Sequence, residues 1–66
     1  MKFEKTCKCL SSVSFGERSF KEGREYQVDI LLENGDETYK VYQDGTDYNF
    51  ILLSFDDFSD YFKEID

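Results

Sequence analysis

From Glu25 to Glu33 apolar residues alternate with polar ones, with Tyr26, Val28, Ile30 and Leu32 on one side. That period of two is the signature of a half-buried strand. Asn34-Gly35 follows, the strongest two-residue hairpin signal. Alternation resumes over Asp36–Gln43, Asp44-Gly45 offers a second turn, and Asp47–Leu53 reads as a third strand. Taking both dipeptides as two-residue turns sets a register. Glu33 faces Asp36, Val28 faces Val41 and Ile30 faces Tyr39; Val41 then faces Tyr48, and Tyr39 faces Phe50. All apolar sets share one side, and a one-residue slip in any strand would reverse its faces. The other side receives Asp29, Lys40 and Asn49 in one row, with the opposite charges directly across from each other, an arrangement worth roughly 0.2–1 kcal/mol. Leu31, Thr38 and Ile51 form the next row, with Tyr42 further along. Leu31 and Ile51 are expected to be covered from within the chain, the alternative being a contact surface.

The flanks read less regularly. Phe3–Leu10 predicts a first strand, with Phe3, Lys5, Cys7 and Cys9 of one parity. Serines and glycines break any period in residues 11–24, which read as a loop whose Val13, Phe15 and Phe20 fold back onto the core. The segment SFDDFSDYFKEID predicts a short amphipathic helix with Ser54 as N-cap and Asp57 three residues on. Phe55, Phe58, Tyr61, Phe62 and Ile65 would share one helix face, and Asp56, Asp57, Asp60 and Glu64 the other. A helical turn over 54–59 followed by a closing strand, Tyr61–Ile65, is the competing reading, since Phe and Tyr suit either. The fold class expected is mainly β: one small antiparallel barrel or meander with a short C-terminal helix.

Length bounds the core. At 66 residues the chain is one domain that buries only about 60% of its unfolded surface. Seven Phe and five Tyr supply large rings, at roughly 150–250 Å² each. So high an aromatic content argues against disorder despite a net charge of −7. No apolar run approaches a membrane span, and residues 1–6 have no apolar signal region, so the expected location is cytoplasmic.

Charge is distributed unevenly. Residues 1–24 carry six basic and three acidic groups; from Glu25 onward there are twelve acidic groups and two basic ones, Lys40 and Lys63. The acidic part is also the part with the clearest strand pattern, so its carboxylates are held on structure rather than on a tail. Such a surface repels nucleic acid and anionic membrane and suits a basic partner.

Catalytic chemistry finds little support. The chain has no His, the commonest general base near neutral pH. Asp56 and Asp57 are adjacent, so on a helix they diverge by about 100° and do not converge on one substrate. Asp44-Gly45-Thr46-Asp47 lacks the further acids of a calcium loop and reads as a turn. Cys7 and Cys9 lack the further ligands of a metal site, and a disulfide between them would close a badly strained ring; they read as reduced thiols on a strand. The four glycines are scattered and form no phosphate cradle. No catalytic residue, cofactor or metal is expected, and the chain reads as a non-enzyme.

What remains is electrostatic. Same-face carboxylates on a strand recur every ~6.6–6.8 Å, and Asp56, Asp60 and Glu64 would recur once per helical turn, about 5.4–6 Å apart. These spacings suit a groove built to neutralise phosphate, and carboxylates are planar acceptors for the Arg forks that hold phosphate. An acidic exterior also simply keeps a small protein soluble. The candidate binding residues are Asp29, Glu33, Asp36, Glu37, Asp44 and Asp47 on the meander, and Asp56, Asp57, Asp60 and Glu64 on the helix.

Several segments carry a resemblance: Thr6-Cys7-Lys8-Cys9-Leu10, then Phe20-Lys21-Glu22-Gly23-Arg24-Glu25-Tyr26-Gln27-Val28, the Asn-Gly hairpin, Tyr39-Lys40-Val41-Tyr42-Gln43-Asp44-Gly45, and Tyr61-Phe62-Lys63-Glu64-Ile65. Together they resemble the small SH3-like β-barrel proteins encoded by bacteriophages, over most of the chain. That resemblance implies a barrel whose C-terminal residues often add a closing strand. Size and acidity are also similar to phage host-takeover proteins, several of which inhibit host DNA-binding proteins by mimicking DNA. The partner class this implies is a basic DNA-binding protein, with the histone-like nucleoid protein HU as the best guess, and no direct contact with nucleic acid or membrane. The alternative it leaves is an SH3-like module that grips a peptide or assembly partner through its aromatic and apolar face.

Overall fold

A computed structural model describes residues 2–66, and the meander predicted from alternation is its centre. Strand β4 (Glu25–Glu33) pairs antiparallel with β5 (Asp36–Tyr42), with Val28 opposite Val41, Ile30 opposite Tyr39 and Glu33 opposite Asp36. Asn34 and Gly35 both have positive φ, 52° and 82°, as a type I′ hairpin turn demands. Strand β1 (Lys2–Cys9) lies on the other side of β4, with Cys7 opposite Tyr26. Strand β6 (Phe50–Ser54) pairs with β5. After it come helix α1 (Phe55–Tyr61) and a last strand, β7 (Phe62–Glu64), which pairs with β1. The sheet order is β6-β5-β4-β1-β7, and the sheet curls into an antiparallel half-barrel with one short helix. None of the described helices is long and apolar enough to cross a membrane.

Three sequence expectations need correction. Residues 11–24 are not all loop: β2 (Val13–Phe15) and β3 (Arg18–Phe20) form a small hairpin. Its turn is Gly16-Glu17, with Gly16 at φ 63°, the place where a type II′ turn puts its glycine. The expected folding-back is seen, with Phe20 buried and Val13 and Phe15 packed on the core.

The β5–β6 register is shifted by three residues. Val41 faces Ile51 rather than Tyr48, and Tyr39 faces Leu53 rather than Phe50. Asp44-Gly45 is not a two-residue turn, because the chain wanders until Asn49, whose carbonyl accepts from the Gln43 N–H at 2.8 Å. An odd shift exchanges the faces of a strand. Ile51 and Leu53 therefore enter the core, while Leu52 takes the outer row opposite Lys40.

The third correction concerns the C-terminus. The helix ends at Tyr61, and the competing reading of a closing strand accounts for residues 62–64. Ser54 is the N-cap as expected, its Oγ accepting from the Asp57 N–H at 3.3 Å.

Inside the curl the core is a stack of rings on a floor of strands. Phe20 meets Tyr26 and Phe62 edge-on, at 4.9 and 5.4 Å between centroids. Phe58 stacks on Tyr39 at 4.4 Å and on Phe62 at 5.5 Å. Aromatic pairs of this kind contribute about 0.5–1.5 kcal/mol each beyond their buried area. Cys7, Cys9, Val28 and Val41 line the floor, fully enclosed.

Candidate partner-binding surface

Strand register decides which acids come together. Glu33 faces Asp36 and Leu32 faces Glu37 at the Asn34-Gly35 tip. Ser54, the last residue of β6, faces Thr38, so α1 starts beside that same tip. Phe55 packs against Tyr39 at 5.8 Å, which fixes the first helical turn there. Glu33, Asp36 and Glu37 therefore share one end of the sheet with Asp56 and Asp57, all exposed. Asp60 is exposed one turn further along the helix.

Asp44 and Asp47 sit at the opposite end of β5, in the loop 43–49. Asp44 organises that loop. Its Oδ1 accepts from the Thr46 hydroxyl at 2.6 Å and the Thr46 N–H at 2.9 Å, and its Oδ2 from the Asn49 side-chain amide at 2.9 Å. These donors, the Thr46 hydroxyl foremost, hold the carboxyl below its ordinary value of 3.8. Asp44 is thus an internal ligand of its own loop as much as an exposed charge.

Two of the expected binding residues are placed otherwise. Asp29 is only 3% exposed. Its Oδ2 accepts from the Tyr42 hydroxyl at 2.7 Å and its Oδ1 from the Gln27 side-chain amide at 3.4 Å, so it belongs to an internal polar cluster. Lys40 does lie directly across from it, but the ammonium is laid over the ring of Phe50, 4.2 Å from its centroid, and 5.2 Å from that of Tyr42, within cation–π range. Glu64 lies on β7 opposite Cys7, so it does not continue the helical series of Asp56 and Asp60.

Hydroxyls and thiols under this surface are pushed away from their charged forms. Tyr42 is raised from 10.0 to about 12, chiefly by its hydrogen bond to Asp29 and then by burial. Tyr39 is likewise raised to about 12, by burial first and then by donating to Glu37 at 3.0 Å. Burial also raises the Cys7 thiol from 9.0 to about 12, with Cys9 beside it adding to the effect. Such groups make poor nucleophiles and bases near neutral pH. Among the described residues no three Asp, Glu or Cys side chains are grouped as metal ligands would be.

No family model, no curated protein and no solved structure matches the chain. What can be read of the surface therefore comes from its own geometry. The uneven charge along the chain becomes a partial separation in space. The acids of residues 33–60 lie at the β4–β5 tip, in the loop 43–49 and on α1, while Lys8 of β1 faces Lys63 of β7; Lys2, however, shares the row of Leu31, Thr38 and Ser54, and Glu64 lies on β7. Sequence reasoning missed the apolar part of the acidic side. Tyr48 is 72% exposed and Leu52 58% exposed, and only the true β5–β6 register turns Leu52 outward.

Proposed function

We propose that this chain is a non-enzymatic inhibitor that covers the basic nucleic-acid-binding surface of a host protein by standing in for DNA. The observation that carries the reading is the gathering of Glu33, Asp36, Glu37, Asp56 and Asp57 at one end of a curled sheet. The folded backbone sets the spacing of these residues before binding, so less conformational entropy is lost than from a disordered acidic tail when they meet an array of Lys and Arg. Asp56 and Asp60, one helical turn apart, keep a spacing of about 5.4–6 Å. A phage origin and a nucleoid protein of the HU class as target follow from the resemblance noted above and belong to the same proposal, as does a cytoplasmic site of action.

Competition decides it. A purified histone-like nucleoid protein is bound to labelled duplex DNA, and the chain is titrated in at low and high salt. The expected result is displacement of DNA that weakens steeply as salt rises. Replacing Asp36 and Asp56 by Asn lowers the association rate and flattens the salt dependence. Failure to displace DNA, together with recovery of no DNA-binding protein from a bacterial lysate, overturns the reading.

The exposure of Leu52 and Tyr48 favours a second reading, a module that grips a peptide through its apolar side. Binding by that route is nearly indifferent to salt and is lost in Leu52→Ala.

A further inference from the structure

Strand β6 is an edge of the sheet, and its backbone groups can be assigned to sides. In an antiparallel pair, residues exchange hydrogen bonds with the partner strand at every second position. The Gln43 N–H donates to the Asn49 carbonyl, and Val41–Ile51 and Tyr39–Leu53 follow in the same alternation. Phe50, Leu52 and Ser54 therefore turn their N–H groups away from β5. The carbonyls of Phe50 and Leu52 turn the same way.

Edges of this kind are normally blunted by charge, proline or a bulge. The sequence Phe50-Ile51-Leu52-Leu53-Ser54 has no charged residue and no proline in a chain of net charge −7, and it pairs with β5 in unbroken register. Its charges stand at the two ends instead. Asp44 and Asp47 precede it, and Asp56 and Asp57 follow it, all exposed. Exposed Leu52 and Phe55 supply apolar contact beside the edge.

We propose that this edge takes an extended segment of a partner protein as a sixth strand, with an apolar, β-branched centre and Lys or Arg at both ends. Backbone pairing along Phe50–Ser54 would supply the affinity, and the flanking acids the choice of partner. The charge pattern also decides against a second copy of this chain. An antiparallel β6–β6 pairing brings the Asp44/Asp47 end of one copy to the Asp56/Asp57 end of the other, so like charges meet at both ends. For the partner's basic character this inference rests on the function proposed above, but its test needs no DNA-binding protein.

The test uses the whole protein, isotopically labelled, and a synthetic peptide, Val-Thr-Val-Thr-Val with Lys-Arg at each end. Amide exchange at Phe50 and Leu52 should slow on adding peptide, while the amides of Ile51 and Leu53, already bonded to β5, change little. A peptide N-methylated at alternate residues should bind about tenfold more weakly or worse, and so should one with Asp-Glu ends. Leu52→Pro removes an edge N–H without touching the β5 ladder, which edge strands tolerate; it should abolish binding with the fold kept, as judged by circular dichroism. If Leu52→Pro does not fold, the N-methylated peptide answers the same question on the unaltered protein. Unchanged exchange at Phe50 and Leu52, or equal binding of the acid-ended peptide, overturns the proposal. So does slowing at these amides that grows with protein concentration alone, because it assigns the edge to a second copy. Failure to displace DNA and to recover any DNA-binding protein from a lysate, with peptide capture intact, would sink the function proposed above and leave the edge site standing.

Discussion

The hydroxyl of Tyr42 donates to Asp29 at 2.7 Å, across the outer side of the β4–β5 pair and thirteen residues away in sequence. Asp29 is buried, so the bond satisfies a carboxylate that has left water. Removing the donor leaves an acceptor short of a partner, which costs about 1–3 kcal/mol. Tyr42→Phe should therefore lower the unfolding free energy by that amount, read as a lower urea midpoint at an unchanged m-value.

Alkali should attack the same bond. The folded pKa of Tyr42 is raised from 10.0 to about 12, so its contribution is whole below pH 10 and is lost as pH rises from 10 to 12. Tyr39 acts in the same window, and Cys7 in a wider one, from 9.0 to about 12. Stability measured by denaturant titration should fall steadily above pH 9, and Tyr42→Phe should fall less steeply than the parent between pH 10 and 12.

Both thiols should be silent in the native state. Cys7 and Cys9 are enclosed between the sheet and the ring stack, and the Cys9 thiol donates to the Ser11 carbonyl at 3.2 Å. A disulfide-exchange reagent at pH 8 should label neither at a rate faster than unfolding permits. Labelling in denaturant should be complete, and fast native labelling would mean that the helix side of the core opens.

At the first hairpin the backbone alone sets the cost. A Cβ at Gly35 meets no atom within 4 Å, but φ is +82°. Gly35→Ala should destabilise the chain by about 1–2 kcal/mol, without any change in core packing as seen in side-chain methyl spectra.

Loop 43–49 should loosen only in acid below pH 3.8. The carboxyl of Asp44 titrates below its ordinary 3.8 in the folded chain, so what it adds is present above that value and is lost as pH falls through the lower folded one. Asp44→Ala should speed amide exchange at Thr46 at neutral pH and abolish the acid-dependent loosening. The β4–β5 tip should not change.

The sequence made one hairpin legible and concealed the next. Asn34-Gly35 sits between strands whose alternation continues on both sides, so turn chemistry and hydrophobic pattern agree, and the register follows. Asp44-Gly45 has the same letters of turn chemistry, but Thr46 and Asn49 offer Asp44 three donors. Those bonds hold a wider loop and displace β6 by three positions. The alternating run Tyr48, Phe50, Leu52 is as apolar as Ile51 and Leu53, so the pattern could not choose between the two faces. Gly16-Glu17 was readable in principle, since Val13/Phe15 and Arg18/Phe20 flank it symmetrically, but three-residue strands hardly show a period. Most of the acidic surface was legible because exposed carboxylates need no partner. Asp29 was not, since its burial depends on a tyrosine brought across by the register.

Helix α1 has a geometric consequence for the whole sheet. Ser54 lies in the row of Thr38, Leu31 and Lys2, whereas Phe62 pairs with Cys9, seven positions along β1 from Lys2 and four strands across from β6. Laid flat, those two points would be separated by ~19 Å across the strands and ~23 Å along them, about 30 Å in all. Seven helical residues and their two flanking steps bridge only about 12 Å. Curling across the strands removes at most the ~19 Å component, so the strands must also twist and bend along their length to bring Ser54 and Phe62 within the span of the helix. So short a connection is possible only because the sheet is coiled as well as curled.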